Sequence, residues 1–350
     1  MKSLFRFLIV ATFLGIIVYY SSTDGTKPLE LQEVEVKEIE NMEELDFNNV
    51  SLQRPKTGLS TYVGQSVDAV VKQFKHPHRI ENTPYGYEWW VYNQYELYMM
   101  FGVKDGVVNQ VYTNSTAYDL TPYTMYMSED EIYRMTIIEG EITVELGDNI
   151  YLYTMNDYDL KHRLIVRFED LYAQLYLDAK QKKLVGVRFM DGETVVAHQP
   201  YELQFIGTLN EAQPLQFSED VNYANEQMFY ELTNVLRLKE KMPALKLSNS
   251  LSQLAKSHSR DMFKGQFVSH ESPTYGSLKE RAQRMQITYE EIDENIATGF
   301  YDAIEAVHSI INSDKHRDVL LNEKYTEIGV GVQERYYTQV LIEPKEEQVQ

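Results

Sequence analysis

The chain has 350 residues, a length that fits two domains better than one. Its 53 acidic and 33 basic side chains give a formal net charge of -20, which excludes a nucleic-acid partner because phosphate backbones require concentrated Lys and Arg. Cysteine is absent, which excludes a disulfide framework, a lipid-modified cysteine anchor, a thiolate metal site and a cysteine nucleophile.

Lys2 and Arg6 flank an apolar run, Phe7 to Tyr20, that carries no charge. Ser3 to Phe5 and Ser21-Ser22 extend it towards the ~20 residues that a spanning helix needs. A basic flank before an apolar run places the N-terminus inside and the rest of the chain outside. No small-x-small cleavage site follows Tyr20, so residues 1–22 read as an uncleaved signal anchor in the cell membrane, with a cleaved and secreted form as the alternative. Residues 23–57 form a charged spacer. Leu29, Val36 and Ile39 recur there among glutamates without a heptad, which predicts a frayed helix or extended stalk.

Residues 58–205 read as a first domain containing a diverged duplication. Ser66 is placed to cap a helix with Val67, Val70, Val71 and Phe74 at helical spacing, and Pro77 closes it. Strand-like YEWWVYN and YELYMMFGV follow, then a turn at Lys104-Asp105-Gly106, then VVNQVYT. The second half opens on Ser128 and Glu131, a capping box, and continues through ITVEL, IYLYTM, LIVRFE, AQLYLDA and LVGVRFM. Trp89-Trp90 and the many tyrosines alternate with polar residues, the pattern of a sheet face rather than of sugar-stacking platforms. His76-Pro77-His78 reads as a helix stop with no third ligand nearby.

Residues 206–220 form a linker containing Pro214, and residues 221–343 a second domain. Met228, Leu232, Val235 and Leu236 mark one helix, and Leu251, Leu254, Ala255, His258 and Met262 a second. Ala303, Ala306, Val307, Ile310 and Ile311 mark a third. Ile328, Val330 and Val332, a polar turn at Gln333 to Arg335, then Thr338, Val340 and Ile342 describe a hairpin with one buried face. Residues 344–350 are a charged tail, expected to be disordered. The fold class is α+β: a duplicated helix-plus-antiparallel-sheet domain followed by an α-β-α sandwich.

Four segments of the second domain form an ordered constellation: AKSHSRDM (255–262), FVSHESP (267–273), DENIA (293–297) and NSDKHRDVLL (312–321), followed by IGVGV and YYTQVLI. Their order and spacing resemble the bacterial branch of the CAP superfamily, also called SCP domains, over about a third of the chain. The duplicated region is similar to the CAP-associated N-terminal domain that precedes such domains in Bacillus-type membrane-anchored proteins. The resemblance implies a cleft lined by His270, Glu294 and His316. The second glutamate that family members carry has no clear counterpart; Asn312 and Ser313 stand in that stretch, with Glu305 slightly earlier. Asp293 stands where the family has Gly, Ile310 where it has Trp, and Asp314-Lys315 where relatives have Pro-Gly.

Read as chemistry, two imidazoles and a carboxylate are a ligand set for Zn²⁺ or another divalent cation, or else a hydrogen-bonded cluster that fixes loops. Ser313 reads as an N-cap, which puts His316 in the first turn of a helix, where a positive charge is disfavoured and a neutral ring expected. Asn295 and Arg317 are expected to brace the cleft, and Arg281 to pair with a carboxylate. His258 shares a face with apolar residues and is expected to bond a backbone carbonyl. No G-x-S-x-G, P-loop or H-E-x-x-H motif occurs. Three functions follow: a non-enzymatic module binding a cell-envelope ligand or protein, a metal- or His-assisted hydrolase of peptide or wall substrates using His270, Glu294 and His316, and an interaction module centred on the N-terminal domain.

Overall fold

The computed structural model describes residues 29–30, 35–39, 51–94, 97–136, 138–208 and 215–345. The expected signal anchor, most of the spacer, Pro214 with the centre of the linker, and the last five residues lie outside the described residues. No described helix is long and apolar enough to cross a membrane.

In the first domain, helix α1 (Val67–Phe74) starts where Ser66 accepts a hydrogen bond from the Asp68 amide. Strands β3 (Arg79–Asn82), β4 (Glu88–Tyr92), β5 (Met99–Lys104) and β6 (Val107–Thr113) follow as an antiparallel run. The β5–β6 turn has two residues, Asp105 and Gly106, both at positive φ (51° and 76°), the twist-matched geometry of tight hairpins. The second half repeats the plan: α2 (Glu129–Met135) opens on the Ser128–Glu131 capping box, and β9 (Arg163–Phe168), β10 (Leu171–Asp178) and β11 (Lys183–Asp191) form an antiparallel meander. The last strands of the halves, β6 and β11, pair with each other, so the halves merge into one sheet of order β3-β4-β5-β6-β11-β10-β9. The repeat is incomplete. A hairpin of β7 (Glu141–Leu146) and β8 (Asn149–Thr154) leaves this sheet and joins β12 (Glu202–Ile206) in a smaller one.

The second domain is a three-layer sandwich. Its sheet centres on β14 (Glu291–Thr298), β16 (Tyr336–Glu343) and β15 (Glu327–Gln333), with the short β13 (Lys246–Leu247) at one edge. Ile328, Val330 and Val332 share a core with helices α5 (Glu219–Lys239) and α8 (Ala303–Ile311). Gly329 and Gly331 turn to the other face, where α6 (Asn249–Gly265) lies so close that a Cβ on either would strike the backbone of Leu251 or Lys256. Helices α7 (Leu278–Arg284) and α9 (Asp314–Leu320) complete the layers.

The described parts of the spacer correct the expectation of a stalk or frayed helix. β1 (Leu29–Glu30) pairs in parallel with the end of β14, and β2 (Val36–Glu38) in parallel with β12. Sheet edges offer unpaired N–H and C=O groups, and short extended segments satisfy them.

The two domains share one hydrophobic core. Trp89, Tyr98, Tyr112 and Tyr176 from the large sheet pack with Phe229, Leu232, Val307 and Ile310 from the second domain. Every residue of β10 is buried, because the second domain covers the sheet face left open by the first. Trp89 is 1% exposed, which settles the aromatic run as sheet-face packing. Polar pairs close the seam. Arg188 reaches Asp302 at 2.5 Å, Arg163 reaches Glu305 at 3.2 Å, and Arg79 grips Glu231 through two contacts of 2.5 Å.

Candidate functional site

β14 is where the site begins. Glu294 and Asn295 are neighbours in a strand, so their side chains leave opposite faces of the sheet. Glu294 points to the α6/α7 face. Its Oε1 accepts from His270 Nδ1 at 3.0 Å and from Arg281 Nη2 at 2.8 Å, and His258 Nε2 lies 3.9 Å away. Burial pushes the Glu294 carboxyl up, but the His270 hydrogen bond and the Arg281 charge outweigh it and hold the group below the ordinary carboxylate range. Arg281 Nη2 also donates to the His270 carbonyl at 2.9 Å, so one guanidinium fixes both the loop and the carboxylate that orients its imidazole.

Asn295 points to the other face. Its Nδ2 donates to the His316 carbonyl at 3.1 Å and to Gln339 Oε1 at 3.3 Å, which ties α9 to the sheet. His316 is 1% exposed. Its ordinary pKa is pushed down to about 4, first by burial, then by the charges of His270 and Lys315. The expectation of a neutral ring therefore holds, although burial and not the helix terminus is the main cause. Ser313 occupies the N-cap position, but its hydroxyl meets His316 Nδ1 at 2.8 Å instead of a backbone N–H. His316 Nε2 is buried without a hydrogen-bond partner. His270 and His316 thus approach from opposite sides of β14, whose edge, among the described residues, pairs with β1 at Ala297 and Thr298.

The residues expected to bind a divalent cation do not fit one. Glu294 spends Oε1 on His270 and Arg281, so this oxygen orients a ring, and Oε2 is buried without a hydrogen-bond partner. Among the described residues, no group of three or more His, Cys, Asp or Glu is placed to hold an ion. Glu305 is not the missing second glutamate. It lies in the domain seam, where Tyr176 and Tyr301 donate to Oε1 at 2.8 and 2.6 Å and Arg163 to Oε2. Arg317 does not brace the cleft either; it reaches across the seam to Asp178 at 2.7 Å.

His258 and Arg281 fall where the sequence places them. His258 Nε2 meets the Ser269 carbonyl at 2.9 Å, and burial lowers its ordinary pKa to about 4. Ser269 accepts from the Glu271 amide, a turn contact and not the posture of a nucleophile. Asp293, which replaces a family glycine, holds the Tyr325 hydroxyl. Gln339 escaped the sequence reading, because a polar residue inside an alternating strand carries no sign of what it meets across the sheet.

Comparison with known proteins follows this geometry. Residues 230–342 match the model of the cysteine-rich secretory protein family, and residues 63–201 match the CAP-associated N-terminal model. The chain is 33% identical over 293 residues to the uncharacterised membrane protein YlbC of Bacillus subtilis, covering 82% of this chain and 84% of that protein. An extracellular SCP-domain protein from Bacillus anthracis has a solved structure that superposes with a TM-score of 0.77 at 33% identity, covering 85% of this chain and 99% of that one. A cysteine-rich secretory protein from Staphylococcus aureus, SAV1118, superposes at 0.75 and 25% identity, over 89% and 100% of the two chains. With the α-β-α sandwich, the paired histidines and the duplicated leading domain all in place, the chain belongs to the cysteine-rich secretory protein (CAP) family, in the form that carries a CAP-associated N-terminal domain.

Proposed function

We propose that this protein is held in the cell membrane by residues 1–22, exposes its folded domains outside the cell, and binds an envelope ligand or partner at the His270–His316 cleft without turning it over. The observation that carries this reading is His316 Nε2: a neutral, buried ring atom, held in place through Ser313 and left without a hydrogen-bond partner. An unmatched buried polar atom costs about 1–3 kcal/mol, which a ligand group or water would recover. The membrane naming of YlbC and the extracellular naming of the Bacillus anthracis protein support the placement. Against hydrolysis stand the engagement of Glu294, the position of Glu305 in the seam and the turn contact of Ser269. The net charge of -20 disfavours a polyanionic wall polymer as the ligand.

The test incubates the full chain in detergent with muropeptides from digested Gram-positive wall, compared with His270→Ala/His316→Ala, and reads the bound material by mass spectrometry. Fragments retained intact by the wild type alone support binding. Fragments cut by the wild type alone replace it with the hydrolase reading. Equal recovery by both proteins removes the cleft from the function.

A second reading has its own observation. The core shared by the two domains favours the N-terminal domain as a protein-interaction surface with the CAP domain as its support. Partner capture that survives loss of both histidines would favour it.

A further inference from the structure

A cavity of about 390 Å³ lies between α6 and α7, and neither His270 nor His316 lines it. Its volume is within the range of small-ligand sites. Leu254 and Met285 supply an apolar part, while Arg281, Arg284 and Lys264 outnumber the one carboxylate, Asp261, which is engaged by the Ser272 hydroxyl at 2.6 Å. The patch is cationic on a chain of strongly negative net charge.

Two wall groups have hydrogen-bonding capacity left over. Arg281 is 5% exposed and uses Nη2 on Glu294 and the His270 carbonyl, while Nε and Nη1 have no acceptor. His258 is 1% exposed. Its Nε2 faces the Ser269 carbonyl, which only accepts, so Nε2 carries the proton and Nδ1 is a bare acceptor without a donor. Both groups converge on Glu294, so they stand side by side. Both residues line the cavity, which brings together buried donors without an acceptor, a buried acceptor without a donor, and an apolar surface.

We propose that this cavity recognises a terminal carboxylate adjacent to an amide N–H, borne on an apolar side chain: the chemistry shared by an N-acylated amino acid and a peptide C-terminus. The carboxylate takes the free Arg281 N–H groups, the amide N–H donates to His258 Nδ1, and the side chain covers Leu254 and Met285. The site shares Arg281 with the His270 side of the cleft but takes nothing from His316, so binding by a His316→Ala chain separates failure of the two readings.

The test is isothermal titration of the full chain in detergent with N-acetyl-leucine, with N-acetyl-leucinamide as the uncharged control. The expected result is a dissociation constant at or below about 1 mM for the acid and at least tenfold weaker binding of the amide. Met285→Trp, which fills the cavity, and Arg281→Lys, which keeps a cation beside Glu294, are each expected to weaken the acid at least tenfold. If Met285→Trp does not fold, Arg281→Lys and the amide still decide. N-acetyl-Ala-Ala-Leu separates the sources: tighter binding than the single residue assigns a peptide C-terminus, equal binding an N-acyl amino acid. No binding of either acid, equal binding of acid and amide, or wild-type binding by both variants would overturn the proposal.

Discussion

The domain seam and the cleft are built from the same residue types, arginine, carboxylate and imidazole, and use them in opposite ways. In the seam Arg188 is fully buried against Asp302, with its guanidinium over the rings of Trp89 and Tyr301 at 5.8 and 5.5 Å. In the cleft the His270 side chain is still 22% exposed, next to a buried His316. The seam answers charge with charge from the other domain and buries both partners, while the cleft keeps one of its histidines partly at the surface. A buried polar cluster is thus no mark of function by itself. Glu305, a plausible cleft carboxylate by chain position, belongs entirely to the seam.

The comparison breaks most readily at Arg188. Replacing it by Met leaves Asp302 buried without its counter-charge, and the expected loss is about 3–5 kcal/mol in urea unfolding. Adding Asp302→Leu should restore much of that loss, because no lone charge then remains. A single mutant within 1 kcal/mol of wild type would show that the seam is wet.

Acid strikes both regions. His258 and His316 have their pKa values pushed down to about 4, and His308 in the seam to about 3, chiefly by burial. The unfolded chain takes up their protons first, near pH 6.5, so stability is full above that pH and falls as pH drops towards 4. Each ring loses roughly 2 kcal/mol or slightly more between pH 7 and 4.5, so a total loss of about 7 kcal/mol is expected from urea midpoints. A flat profile would mean these rings are solvated.

Glu294→Gln keeps the shape of the cleft and removes the charge facing Arg281 and His270. It should cost about 1–3 kcal/mol, less than the seam mutant, by the same unfolding measurement. Added Zn²⁺ should shift the melting temperature by less than about 1 °C. A larger shift, lost in His270→Ala/His316→Ala, would restore the metal reading. The smallest effect is expected at Arg54, whose partner Asp170 is 72% exposed. Arg54→Ala should change stability by under about 1 kcal/mol.

The sequence alone determined what depends on neighbours in the chain. Ser66 and Ser128 cap their helices because a cap needs only the next two or three amides. The Asp105-Gly106 turn, the final hairpin and the apolar face of α6 follow from local geometry and period. His270, Glu294 and Asn295 were legible through an ordered motif, and His258 through its place on an apolar helical face. Tertiary structure decided whatever depends on a partner far along the chain. Helix α8 is buried all round, including Glu305 and His308, because a sheet from the other domain covers the face that the periodicity assigns to solvent. Arg317 turns to Asp178, 139 residues away, and Glu294 turns Oε1 to Arg281 and His270. Residue spacing cannot report such contacts, because the energy of a buried charge is set by whichever counter-charge folding brings beside it.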